Sequence, residues 1–380
     1  MLRPIVFTPI KLFRMNISVC RLALLILSAV STSLAADPLT LRMLTWQGYA
    51  PTSQVTQFRQ AIADKYGLTV NFEIAYVDSS DDYFNAIRAN RADIIAPSHS
   101  VFNDSRYKFL DRQLLIPINL NNVPNYADLM PSLKALRYAD ASEDVFFVPL
   151  TYGPYGLAYN QQRLPVAPAS WKSLWNPVYA GQYTVNSDYY EANIYIAALA
   201  SGLSVEDIKN VDKLNTPEIK HMLTSLVSNA SNLWGGVDQA SDLSGNTLAT
   251  SWGFSFPALH LQGERWKMAC PQEGTTVWID GYALSRTLQG RPEHKKIAEE
   301  WINFTLNPGF QTQAIYQELH SFPASEPVYN DLKTAGTLPH NEACINFDFK
   351  WPELNSRERN FMKSIWQRAL KQAEPPANTR

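Results

Sequence analysis

The strongest constraint on this chain is an alternation of hydrophobic period between residues 39 and 96. Leu39, Leu41, Met43 and the β-branched Thr45 recur every second residue, the spacing of a strand with one buried face. Gln47-Gly48-Tyr49 follows as a turn, and Pro51 suits the first turn of a helix. Val55, Phe58 and Ile62 then recur at helical spacing, and Gly67 marks a stop. Residues 68–76 return to strand character. Ser80 is placed to cap a second helix whose first turn carries Asp81 and Asp82, with Tyr83, Ala86 and Ile87 inward. Residues 93–96 form a short apolar strand ended by Pro97. The order strand, helix, strand, helix, strand predicts an α/β fold with a largely parallel sheet and right-handed crossovers.

The pattern continues less regularly. Residues 145–159 and 277–284 read as strands. Residues 191–203, 217–228 and 294–306 read as helices, the first with Ile194, Ala197, Ala198 and Leu199 inward, the last with Ile297, Trp301 and Phe304. Residues 170–180 read as a Trp- and Pro-bearing loop or short helix. At 380 residues the chain is long enough for two domains. There is no internal repeat, heptad run or low-complexity linker, and only the tail, 374–380, reads as frayed.

The first 36 residues differ in kind. They hold Arg3, Lys11, Arg14 and Arg21 and no acid, then an apolar run over 22–30, then small residues ending at Ala35-Ala36. That order is the order of a secretory signal peptide. The run is too short to cross a bilayer as a helix, which takes about 20 residues. Met15 could be the true start, because 15–36 already form a complete signal. Cys20 precedes the apolar run, the wrong side for lipid attachment. The expectation is a soluble exported protein that keeps two cysteines, Cys270 and Cys344. An even pair in an oxidising compartment reads as one disulfide; two buried thiols are the alternative.

Charge and motif exclude several functions. Lys plus Arg number 33 against 35 Asp plus Glu, so no basic excess points to nucleic acid or an anionic membrane. No Gly-x-Gly-x-x-Gly or phosphate-binding Lys-Ser/Thr loop occurs. Gly253-Phe254-Ser255 lacks the second glycine of a nucleophile elbow. The six histidines are scattered without metal-ligand spacing. No metal, cofactor or catalytic residue is expected, although hydrolase-type acid pairs distant in sequence escape this reading.

Several segments, in order from about residue 39 to 330, resemble the periplasmic solute-binding proteins of ABC transporters, most closely the spermidine/putrescine-binding group. They are Trp46-Gln47-Gly48-Tyr49, Asp93 to Ser98, Val148-Pro149 to Tyr159-Asn160, Ser170-Trp171 with Tyr179-Ala-Gly181, Trp252-Gly253, and Pro271 to Asp280. The resemblance implies a two-lobed, type II-like fold, each lobe a mixed sheet flanked by helices, with the ligand in the interlobe cleft. The first lobe would be 37–150 plus 282–322 and the second 151–281 plus 323–380. Hinge closure around ligand would be the working motion.

The residues suit a polyamine. Trp278 and Asp280 stand two apart on a strand and leave the same face. Asp188 and Glu191, three apart at a helix start, would share a face too, with helix capping as the plainer role. Three carboxylates, Asp188, Glu191 and Asp280, would match the three charges of a triamine such as spermidine or norspermidine, since burying a charge without a partner is prohibitive. Trp46, Trp252 and Trp278 would wall its methylenes through stacking and cation–π contacts. Gln47, Tyr49, Ser98 and Ser100 are hydrogen-bonding candidates, the serines otherwise capping a helix after Pro97. The sequence departs from the family at Gly48 and Ser255, where acids are usual, and near 321, where no late aromatic is clearly matched. The implied partners are a polyamine and an ABC permease, for a monomer that delivers its ligand. A membrane signalling receptor, for a sensor of the same fold, is the alternative partner. An exported enzyme using the cleft acids, or a quaternary ammonium ligand, are further alternatives.

Overall fold

The computed structural model describes residues 37–77, 79–136, 144–339, 342–345, 352 and 354–373. The signal-like segment with Met15 and Cys20, Trp351 and the tail 374–380 lie outside the described residues.

The opening alternation folds as strands and helices in the expected order. β1 (Leu39–Thr45) buries every second residue and pairs in parallel with β2 (Val70–Tyr76) and β3 (Ile94–Ile95). α1 (Thr52–Tyr66) turns Val55, Phe58 and Ile62 inward and ends at Gly67. α2 (Ser80–Arg88) buries Tyr83 and Ile87. Its cap is Ser79 rather than Ser80, because the Asp82 carboxylate reaches back to the Ser79 N–H at 2.9 Å. α3 (His99–Asn103) follows Pro97-Ser98.

The sheet as a whole is mixed, not largely parallel. β4 (Leu115–Ile116), β5 (Val148–Asn160), β6 (Tyr183–Asn186), β7 (Asn232–Trp234), β8 (Leu248–Ser251), β9 (Trp266–Met268), β10 (Thr276–Ser285) and β11 (Phe322–Pro323) complete it. Its path is β2-β1-β3-β10-β5-β8-β6-β7, with β4, β9 and β11 paired off that path. Parallel pairs lie toward each end, while β10 runs antiparallel to both β3 and β5. A parallel pair needs a long crossover; β5 and β10, passing between the two ends, supply the antiparallel centre.

Two main cores flank that centre. The first gathers Leu41, Phe58, Phe72, Leu150 and Trp301; the second gathers Leu157, Trp171, Tyr183, Ile194 and Trp366. β5 is buried along all 13 residues and feeds both. α4 (Tyr190–Ser201), α5 (Pro217–Ser228) and α8 (Ser356–Ala373) pack together on the second core. α6 (Pro292–Thr305) packs on the first through Ile297, Trp301 and Ile302. After residue 323 the chain packs on the first core: Ala324 is buried there, and Tyr329 of α7 (Glu326–Ala335), Leu338 and Ile345 pack against it. The reason is β11, which pairs with the first half of β5 through Phe322↔Tyr152 and Pro323↔Thr151. Residues 170–180 form two 3-10 turns, capped by the side chains of Ser170 and Asn176. Cys270 and Cys344 are disulfide-bonded, 74 residues apart.

Candidate functional site

The central strands build the site. On β10, alternation turns Val277 and Ile279 into the first core, while Trp278 and Asp280 leave the other face. Trp278 stands opposite Gly153 on β5. A Cβ at Gly153 would come 2.8 Å from Trp278 Cζ2, so the indole lies against bare backbone there. Its Nε1–H donates to the Pro154 carbonyl at 3.2 Å. The register of β10 shifts between Asp280 and Gly281. That irregularity sits beside an isolated bridge between Ser98 and Asp280, which brings the loop after β3 against the carboxylate.

Asp280 is 7% exposed and accepts the Tyr49 hydroxyl at 2.5 Å. Burial pushes its pKa up to about 7, against the opposite pull of the Tyr49 and Ser98 hydroxyls. Tyr49, at the turn after β1, is in turn raised well above the usual phenol value by burial and by Asp280. Among the described residues no cationic side chain pairs with Asp280.

A cleft of about 490 Å³ opens onto this carboxylate. Trp46, Tyr155, Tyr189, Trp252, Phe254 and Trp278 wall it. Trp252 is the hub, with ring centroids 4.4 Å from Tyr155, 4.8 Å from Tyr189 and 6.5 Å from Trp278. Its loop is tied to buried Asp238, which accepts the Trp252 N–H at 2.9 Å and the hydroxyls of Ser251 and Ser255 at 3.0 and 2.5 Å. Ser255 therefore holds the Trp252 loop in place; an acid there would press a second carboxylate onto a buried one. Gly48 is explained as well. Its φ of +95° strains any side chain, and a Cβ would meet Leu319 Cδ2 at 2.5 Å. Leu319 lines the cleft at that point. Near residue 321, Phe322 turns away into the first core and stacks on Tyr152, 5.1 Å between ring centroids.

Of the ten residues expected at the site, Trp46, Gln47, Tyr49, Ser98, Ser100, Trp252, Trp278 and Asp280 line this one cleft. Asp188 and Glu191 do not. The expected shared helix face fails because α4 begins at Tyr190, so Asp188 precedes the helix. Asn186 sets that start by accepting the Asp188 and Tyr189 N–H groups at 2.7 and 2.8 Å. Asp188 is exposed, and its Oδ2 accepts the Gly236 N–H at 2.9 Å, steadying a loop that does line the cleft. Glu191 lies in an adjoining pocket of about 140 Å³ and accepts the Arg359 guanidinium at 2.8 Å.

Sequence reasoning missed His99, Tyr155, Tyr189 and Phe254, all of which line the cleft. Three of them adjoin or nearly adjoin flagged residues; Tyr155 had no such signal. His99 Nδ1 accepts the Ile279 N–H at 3.2 Å, which puts the proton of the neutral ring on Nε2. Among the described residues no group of three or more His, Cys, Asp or Glu could hold a metal ion.

The profile of a family described as bacterial extracellular solute-binding protein matches residues 89–342. The chain belongs to that family. Solved structures share the fold of this solute-binding protein at low identity. The spermidine/putrescine ABC transporter substrate-binding protein PotD of Streptococcus pneumoniae is 17% identical with a TM-score of 0.69, covering 88% of this chain and 100% of that one. The TpPotD lipoprotein of Treponema pallidum is 19% identical with a TM-score of 0.68, covering 87% and 99%. The Atu4243-GABA receptor is 15% identical with a TM-score of 0.62, covering 90% and 100%. Asp280 is the one Asp or Glu among the described residues that line this cleft, beside its aromatic rings.

Proposed function

We propose that this solute-binding protein captures a linear aliphatic polyamine in the periplasm and delivers it to an ABC permease. The observation that carries the reading is Asp280, a buried carboxylate with hydroxyl partners and a pKa raised to about 7, lining a cleft rich in aromatic rings. A buried acid left without a cation is costly, and an ammonium supplies what is missing. The rings then pack on the methylenes and contribute roughly 0.5–2 kcal/mol per cation–π contact. The name of one neighbour, a spermidine/putrescine substrate-binding protein, agrees with this reading. Spermidine and norspermidine differ by one methylene, worth about 0.8 kcal/mol of burial, so the two triamines should bind within a few-fold of each other.

A quaternary ammonium such as choline is the second reading. One acid rather than three lines the aromatic cleft, so a single quaternary cation would leave no further acid there unpaired. Calorimetry with spermidine, norspermidine, putrescine and choline separates them. The polyamines should bind more tightly, because their ammonium N–H groups give Asp280 charge-assisted hydrogen bonds that a quaternary head, which has no N–H, does not; tighter binding of choline would reverse the assignment. The proposed partner is tested by adding the liganded protein, expected to be a monomer, to permease with its ATPase. Stimulated ATP hydrolysis supports delivery, while none, together with capture of a membrane signalling receptor, supports sensing.

A further inference from the structure

The adjoining pocket shares Ser80, His99, Ser100 and Tyr189 with the main cleft, so the two lie side by side across these residues. Tyr189 stands between their acids and feels the charges of Asp280, Glu191 and Asp188. Two carboxylates converge in the pocket from different parts of the fold. Asp104 follows α3; Glu191 lies in the first turn of α4. Between them comes Arg359, from the first turn of α8. Its guanidinium pairs with Asp104 Oδ2 and Glu191 Oε1, each at 2.8 Å. The three side chains are only 14%, 7% and 13% exposed. Arg106 pairs with Asp104 as well, at 2.8 Å, and with Asp81 at 3.3 Å. A distal ammonium reaching past Tyr189 would therefore meet acids that the chain has already neutralised, and a guanidinium that repels it.

Building on the polyamine reading, we propose that Arg359 is a specificity-determining residue: its guanidinium fills, from within the chain, the acidic subsite that Asp104 and Glu191 would offer to the far end of a long polyamine. The cleft then selects amines whose charges end short of Tyr189. Arg359 also ties two parts of the fold together, so its loss would shift the affinity of every ligand alike. The proposal concerns the ratio between long and short amines, which a uniform shift leaves untouched.

Calorimetry with putrescine, spermidine and spermine on the full chain tests this in Arg359→Gln, Arg359→Lys and Glu191→Gln. The affinity of spermine relative to putrescine should rise tenfold or more in Arg359→Gln and stay at the wild-type value in Arg359→Lys. Equal changes for both amines in Arg359→Gln would overturn the proposal and leave Arg359 a strap. Should Arg359→Gln not fold, Glu191→Gln decides. Unchanged amine affinities are expected, and a tenfold loss would make Glu191 a direct ligand and sink the idea. If wild-type protein binds no amine, the polyamine reading falls and takes this inference with it; binding with a flat ratio overturns this inference alone.

Discussion

Two buried acids of this protein lie in adjoining cavities and end in opposite states. Asp280 lines an aromatic cleft with hydroxyls for partners, and burial drives its pKa to about 7. Glu191, also raised by burial, is met by the Arg359 guanidinium, which pulls the other way. Under the proposed function, the difference says where the ligand belongs. Where the chain supplies its own counter-ion, the charge is structural; where it withholds one, a desolvated charge is left for a cation from outside.

The largest effect should come from exchanging these acids for amides. Asp280→Asn should weaken spermidine by about 2–5 kcal/mol, because a buried ammonium loses its partner. Glu191→Gln should do the converse, lowering the melting temperature while calorimetry shows amine affinity kept. If both variants lost amine binding equally, the contrast between the two cavities would disappear.

A pH series gives the next effect. Burial lifts Asp280 above its unfolded value, so its contribution to stability of the free protein is present below that unfolded value. It is lost as pH rises through about 7. Binding runs the other way, since a cation needs the carboxylate. Amine affinity should climb by up to about tenfold per pH unit below 7 and level off above it. Asp280→Asn should flatten the profile, and calorimetry in matched buffers reads both.

The smallest effect concerns the wall. Gly153→Ala would push a methyl into the Trp278 indole. It should cost amine affinity about 1 kcal/mol, on the scale of one cation–π contact. Unchanged affinity, with fluorescence showing the Trp278 ring displaced, would mean that the indole does not touch the ligand.

Much of the site was legible because strand periodicity is local. Leu39 to Thr45 announces β1, and a spacing of two on β10 places Trp278 and Asp280 together. The resemblance then added Trp46 and Trp252, on segments that periodicity cannot join. What stayed hidden depends on contacts across the chain. Arg359 meets Glu191 from 168 residues away, and no local pattern shows that pairing. Asp188 and Glu191 looked like neighbours on one helix face until Asn186 set the helix start at Tyr190. Gly48 read as a lost acid, whereas its φ and the packing of Leu319 leave no room for a side chain.

The most direct measurement is a carbon-13 NMR titration of the Asp280 carboxyl, assigned by its disappearance in Asp280→Asn. The free protein should titrate near 7, and saturating spermidine should drive that value down by two units or more. An ordinary carboxylate value in the free protein, unmoved by any amine, would contradict the claim that this buried acid awaits a cation.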